Sequence, residues 1–154
     1  MLFRSDPSTT AEGDFRVRST ISLFDPGRRR REAYGIFFGG RDLQGPNQSH
    51  TYFLIRDTGD FLVKRRVGSA TETVRQWSPS SAIVQYRGDD EAKNVLTIEA
   101  KGGSVDFVIN GERVTSVPRR DVRVDGVVGL RVNHGLNLHI SDLVVEPLGG
   151  AEDR

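Results

Sequence analysis

The chain has 154 residues, no cysteine and a formal net charge of +1 at pH 7. That length fits one domain, which can bury roughly 70% of the surface that its unfolded form exposes. Without cysteine the chain has no disulfide, no thiolate zinc site and no cysteine nucleophile. The balanced charge argues against the positive field of a general nucleic-acid binder, and no apolar run approaches the roughly 20 residues that span a bilayer. We therefore expect neither a nucleic-acid nor a membrane partner.

Apolar and polar residues alternate with a period of two along the chain, and no segment keeps the 3.6-residue spacing of an amphipathic helix. The clearest strand is predicted at 15–23, where one face carries Phe15, Val17, Ile21 and Leu23. The segment 25–32 then combines a Pro-Gly turn signal with four consecutive arginines, which is typical of a solvated loop.

Four further strands are predicted at about 33–40, 50–56, 60–67 and 71–77. The segment 78–94 is interpreted as a loop with one short element at 82–86. Three short strands are expected within 94–117, two of them joined by Asn110-Gly111, the pair that a type I′ hairpin turn needs.

The segments 125–133 and 136–147 are predicted to form a closing pair of strands around a polar turn at 133–137. About ten short strands indicate an all-β fold with two antiparallel sheets packed face to face. We expect a single sandwich domain over 1–147 and a disordered tail over 148–154.

Aromatic rings and planar hydrogen-bond donors are the usual means of holding a sugar. If Phe53 and Ile55 face the core, alternation places their neighbours on the opposite, concave face. The residues predicted to form an aromatic and guanidinium groove there are Tyr52, Arg56, Arg66, Arg75 and Trp77, with Lys64 beside them. In the alternative interpretation Trp77 plugs the core edge and the arginine stems cover apolar surface.

The polar segment 41–50 contains Asn47, Gln48 and His50, which could reach over a sheet edge toward a ligand. The alternative is a solvated connector of ordinary length.

No cofactor is predicted, because His50, His134 and His139 are too far apart in sequence to indicate a metal site. A structural calcium ion is kept as an alternative, since this hard cation prefers oxygen ligands. The available carboxylates are Asp57, Asp60, Asp89, Asp90 and Asp142. The arginine run 28–31, with Arg119 and Arg120, is either a polyanion site or a solvated surface.

Four segments carry a resemblance to a known fold family: 33–40, 50–66, 94–114 and 126–146. Their order resembles the concanavalin A-like lectin and glucanase jelly roll, and within it the laminin-G-like and 3-keto-disaccharide hydrolase-like domains of bacteria. The resemblance implies a two-sheet jelly roll with small residues such as Gly35 and Gly39 where the sheets approach. It also implies an additional N-terminal strand region, which this chain is expected to shorten or lack.

Catalytic members of that family carry alternating carboxylates on one strand, because a retaining mechanism needs two carboxyls about 5 Å apart. This sequence has no such run, no Gly-x-Ser-x-Gly elbow and no Walker loop. We therefore favour a non-catalytic domain that binds a carbohydrate or another polar ligand on its concave face. The alternatives are a glycoside hydrolase of the 3-keto-disaccharide type and a structural or protein-interaction domain of a larger extracytoplasmic protein. The resemblance favours an extracytoplasmic location, although the first fifteen residues lack the features of a secretory signal.

Overall fold

The computed structural model describes residues 2–88, 90–132 and 135–148. Leu148 is the one residue of the predicted tail inside these ranges, and Asn133 and His134 of the predicted turn lie outside them. Within these ranges the chain forms strands and one 3-10 turn at Arg119–Asp121, without an α-helix. The all-β prediction is confirmed. The strands are β1 (Leu2–Ala11), β2 (Phe15–Phe24), β3 (Ala33–Arg41), β4 (Ser49–Arg56), β5 (Asp60–Val67), β6 (Ala70–Pro79), β7 (Ala92–Lys101), β8 (Ser104–Ile109), β9 (Glu112–Pro118), β10 (Gly126–Val132), β11 (Asn137–Ile140) and β12 (Val144–Pro147).

The strands form two antiparallel sheets. The front sheet has the order β1-β10-β3-β4-β5-β6. The back sheet has the order β11-β2-β7-β8-β9, and β12 also pairs with β2. Among the described residues no helix is long and apolar enough to cross a membrane. The predicted two-sheet sandwich is confirmed.

The core lies between the sheets and is built by alternate residues of each strand. On β2, the predicted inward residues Phe15, Val17, Ile21 and Leu23 are all buried. The ring of Phe107 on β8 packs against Phe53 on β4, with ring centroids 5.1 Å apart, in an edge-to-face arrangement. Since β4 and β8 belong to opposite sheets, this aromatic contact joins the two layers.

The turn between β8 and β9 forms as predicted. Asn110 and Gly111 have φ angles of 51° and 85°, the left-handed pair of a type I′ turn. The side chain of Asn110 also holds β7 in place, because its Oδ1 accepts a hydrogen bond from the backbone N of Val95 at 2.8 Å.

Two predictions about the chain ends are wrong. β1 exists and pairs with β10 from Leu2↔Val132 to Ala11↔Gly126. Its register shifts between Ser5 and Thr10, a stretch containing Pro7, which cannot donate to the ladder and so obscures the strand pattern. The predicted closing pair does not form, because β10 pairs within the front sheet while β11 and β12 pair with β2 in the back sheet.

The predicted short element at 82–86 is not a strand. Asparagine side chains provide the partners that a neighbouring strand would supply. The Asn94 amide accepts a hydrogen bond from Val84 N at 2.8 Å and donates one to Val84 O at 3.0 Å. The Asn110 amide donates to Ala82 O at 2.8 Å. The segment is therefore held against the sandwich without entering a sheet.

Close packing of β3 on β4 requires glycine at position 35. A Cβ atom at Gly35 would lie 2.0 Å from the backbone oxygen of Phe53, whereas one at Gly103 would meet nothing within 4 Å. We predict that Gly35→Ala lowers the free energy of unfolding by about 2 kcal/mol or more, because backbone atoms must move. Gly103→Ala, the matched control, should change it by less than about 1 kcal/mol. Urea unfolding of both variants is the measurement, and equal stability would contradict this packing.

Candidate binding face

The outer face of the front sheet, which points away from the sandwich core, carries the candidate site. It holds a second buried apolar cluster, separate from the main core: Ala33, Phe37, Tyr52, Leu54 and Leu62. Leu43, Trp77 and Val127 are partly buried against this cluster. The central strands β3 and β4 are therefore buried on both faces, although their outer face was predicted to be exposed to solvent.

Tyr52 lies on the predicted face, but its ring is not open to solvent. The residue is 5% exposed. The guanidinium carbon of Arg131, on β10, lies 3.8 Å from the centre of the Tyr52 ring. The expectation that Tyr52 offers a bare stacking surface is wrong, because an arginine covers it.

Arg131 comes from the strand beside β3 and reaches Tyr52 across that strand. It is the cross-strand neighbour of Gly35 on β3, and Tyr52 is on β4, the strand beyond. Sequence reasoning missed Arg131. Burial of Val128, Leu130 and Val132 shows the alternation that turns Arg131 outward, and this alternation is readable in the sequence. What the sequence does not show is that β10 lies beside β3.

Arg56 and Trp77 form a second pair of the same kind, and both were predicted. The guanidinium carbon of Arg56 lies 3.9 Å from the centre of the Trp77 ring. Arg56 also donates a hydrogen bond to the Asp60 carboxylate at 2.9 Å, which lowers the pKa of Asp60. This arginine is thus held between a ring and a carboxylate.

Arg75 does not belong to the outer face, which corrects the predicted groove. The β5–β6 pairing runs Phe61↔Ser78 and then Val63↔Arg75, so β6 has an extra residue in between. Such a bulge reverses which side chains point outward. Arg75 donates to the Thr115 hydroxyl on β9 of the back sheet at 2.8 and 3.0 Å, and Trp77 stays on the outer face.

His50 begins the outward row of β4 and is fully buried, with an exposure of 0%. The prediction that it belongs to a loop reaching for ligand is wrong. Its ring lies 5.6 Å from that of Phe37 and 5.7 Å from that of Tyr52, centre to centre. Burial, together with the nearby charges of Arg131 and Arg66, lowers the pKa of His50 to about 4. The imidazole is neutral at pH 7.

Lys64 and Arg66 extend the same face on β5. They are the cross-strand neighbours of Tyr52 and His50. Both are half-buried. Arg66 donates from Nε to the backbone oxygen of Gly68 at 2.9 Å. The predicted positions of these two cations on the outer face agree with the observed register.

Part of the segment between β3 and β4 packs on this face, and part of it is an exposed loop. Leu43 packs on the apolar cluster, and the backbone oxygen of Gln48 accepts a hydrogen bond from Gly68 N at 2.7 Å. Asn47 is exposed. Gln48 and Arg66 thus both hydrogen-bond to the backbone of Gly68, whereas Asn47 is exposed at the loop surface.

The other predicted charged residues serve the fold. Asp57 is buried, accepts a hydrogen bond from Tyr86 N at 2.7 Å and forms an ion pair with Arg30 at 3.2 Å. Burial raises the pKa of Asp57. Arg119 donates to the Asp14 carboxylate at 3.3 Å. The rest of the arginine run, Arg28, Arg29 and Arg31, is exposed.

The carboxylates considered for calcium do not converge. Asp60 contacts Arg56, and Asp142 accepts a hydrogen bond from Thr20 N at 2.9 Å. In the described ranges, which omit Asp89, no three acidic or histidine side chains group into a metal site. His139 is exposed on β11 of the back sheet, distant in the fold from His50.

The neutral state of His50 predicts a pH dependence of stability. In the unfolded chain its pKa returns to near 6.5, so between that pH and about 4 the unfolded state binds more protons. The stabilisation is complete above about pH 6.5 and is lost as the pH falls, by up to about 1.4 kcal/mol per unit. Urea unfolding at several pH values should give a flatter profile for His50→Gln than for the wild type. Parallel profiles would contradict the assignment, because the carboxylates titrate in both proteins.

Sequence comparison finds no family model and no curated protein that matches this chain. Comparison of structures does find similar folds. The carbohydrate-binding module CBM66 from Bacillus subtilis has a TM-score of 0.67 and 17% identity, covering 90% of this chain and 78% of that one. Sheep galectin-11, in a complex with glycerol, has a TM-score of 0.66 and 11% identity, covering 94% of this chain and 96% of that one. The CBM40 of Ruminococcus gnavus IT-sialidase, bound to α2,6-sialyllactose, has a TM-score of 0.60 and 13% identity, covering 98% of this chain and 95% of that one.

These likenesses confirm the predicted concanavalin A-like jelly roll. They do not confirm the narrower resemblance to laminin-G-like and 3-keto-disaccharide hydrolase-like domains. At identities of 11 to 17% they establish the fold of this chain, a lectin-type β-sandwich.

Proposed function

We propose that this chain is a non-catalytic carbohydrate-binding domain whose ligand lies on the outer face of the front sheet. The observation that carries the proposal is the pair of arginine and aromatic stacks on that face. Arg131 on Tyr52 and Arg56 on Trp77 place planar guanidinium groups in fixed orientations over an apolar layer. Fixed planar donors of this kind suit the hydroxyl and ring oxygens of a sugar.

The similar folds support this proposal. Two of them are named as carbohydrate-binding modules, one of these is bound to a sialylated sugar, and the third is a galectin. A shared fold alone does not assign a function, so the site must supply the chemistry. The predicted role of Asn47 and Gln48 as further ligand contacts stays a prediction.

The hydrolase alternative finds no support in the front sheet. In the fully described strands β3, β4, β5 and β10, the outward residues include one carboxylate, Asp60, and it is paired with Arg56. A pair of carboxyls in reach of one glycosidic bond is what the common mechanisms need. The geometry favours binding without turnover.

A glycan array followed by calorimetry tests the proposal. The wild type should bind at least one glycan, and Arg131→Ala or Trp77→Ala should weaken that binding by roughly tenfold or more, because each removes a stacked pair. The matched control is Lys93→Ala, an exposed residue on β7 of the back sheet, which should bind like the wild type. Circular dichroism verifies that each variant is folded.

The proposal fails if no glycan binds, or if Lys93→Ala loses affinity as much as the outer-face variants do. Binding of a protein instead of a glycan would support the interaction-domain alternative.

A further inference from the structure

Both aromatic rings that a sugar could stack on are covered by guanidinium groups. The guanidinium carbon of Arg131 lies 3.8 Å from the centre of the Tyr52 ring, and that of Arg56 lies 3.9 Å from the centre of the Trp77 ring. A neutral sugar that binds by placing its C–H face on a ring would have to displace these arginines. What the face offers instead is positive charge, which favours a ligand that carries carboxylate or sulfate oxygens.

The charges on this face are strongly unequal. The outward residues of β3, β4, β5 and β10 include four cations and one carboxylate: Arg56, Lys64, Arg66, Arg131 and Asp60. Asp60 is already bound by Arg56. Lys64 and Arg66 form no ion pair with any carboxylate of the described residues. A net positive face results on a chain whose total charge is only +1.

Three of these cations surround one point on β4. Lys64 is the cross-strand neighbour of Tyr52, which places the two backbones roughly 5 Å apart. Arg66 has the same relation to His50, the next outward residue on β4. Arg131 covers the Tyr52 ring from the other side.

The imidazole of His50 also lies beneath these cations. It is fully buried below the surface that they form, and it contributes no charge at neutral pH. A second charge beneath Arg66 and Arg131 would repel them. The neutral imidazole instead leaves the three cations as the groups that a ligand meets.

We propose that the outer face of the front sheet binds saccharides that carry a carboxylate or sulfate group, with Lys64, Arg66 and Arg131 supplying the attraction. This inference rests on the proposed function and names its ligand class. The anion lies between Lys64 and the stacked Arg131, and the sugar ring extends over the neighbouring apolar cluster.

The test uses calorimetry with trigalacturonic acid and its methyl ester, which have the same sugar rings and differ in charge. The acid should bind at least about ten times more tightly than the ester, since hydrogen bonds to charged groups are roughly twice as strong as neutral ones. The acid's affinity should also fall as the salt concentration rises from about 0.05 to about 0.5 M. Sialyllactose and 3′-sulfolactose, each compared with lactose, show whether a sialic acid carboxylate or a sulfate serves as well.

Variants locate the effect. Lys64→Gln and Arg66→Gln should each weaken binding of the acid about tenfold and leave the ester unchanged, since they remove charge without removing apolar surface. Lys93→Gln, on the back sheet, is the control and should change neither. Thermal melting verifies that the variants fold.

Two results overturn the inference and are distinguishable. If the neutral saccharides bind as well as the anionic ones, or if Lys93→Gln weakens the acid as much as Lys64→Gln does, the ligand class is wrong while carbohydrate binding stands. If no saccharide of either kind binds, the proposed function fails as well.

Discussion

The front sheet depends on arginine side chains that close over aromatic rings. Its central strands β3 and β4 are buried on both faces, one against the back sheet and the other beneath its own surface layer. Arg131 and Arg56 complete that layer. A guanidinium suits this position because its flat faces are weakly hydrated and can lie on a ring with little loss of solvation. An exposed stack of this kind contributes about 0.5–1 kcal/mol, so it covers the cluster without replacing the core as the main source of stability.

One glycine links the backbone to this surface chemistry. Position 35, the cross-strand neighbour of Arg131, has no room for a Cβ atom because the backbone of β4 lies against it. The covered ring and the neighbouring cations then bury His50 and hold it neutral. Tyr52 and Arg131 take part in packing as well as in the proposed binding, so variants at the cations of β5 separate stability from binding more cleanly than variants at Tyr52.

Local alternation was enough to predict much of the sandwich. The inward residues of β2 and β4 and the left-handed turn at Asn110-Gly111 follow from patterns within a few residues. Features that depend on distant pairing were not predictable. The bulge in β6 sends Arg75 to Thr115 of the back sheet, the placement of β10 beside β3 brings Arg131 to the site, and the pairing of β1 is obscured where Pro7 interrupts the ladder. Tyr52 was predicted on the correct face and His50 at the start of the correct strand. Their burial depends on neighbouring strands such as β10, which supplies the Arg131 that covers Tyr52.

The central claim is that a ligand meets the guanidinium and ammonium groups around Tyr52. Nuclear magnetic resonance of the labelled protein, titrated with trigalacturonic acid, tests it most directly. We expect the largest shifts for the Arg131 and Arg66 side-chain N–H groups and for the backbone amides of β4 and β5. Shifts concentrated on β2 and β7 of the back sheet, with the Arg131 signals unmoved, would contradict it.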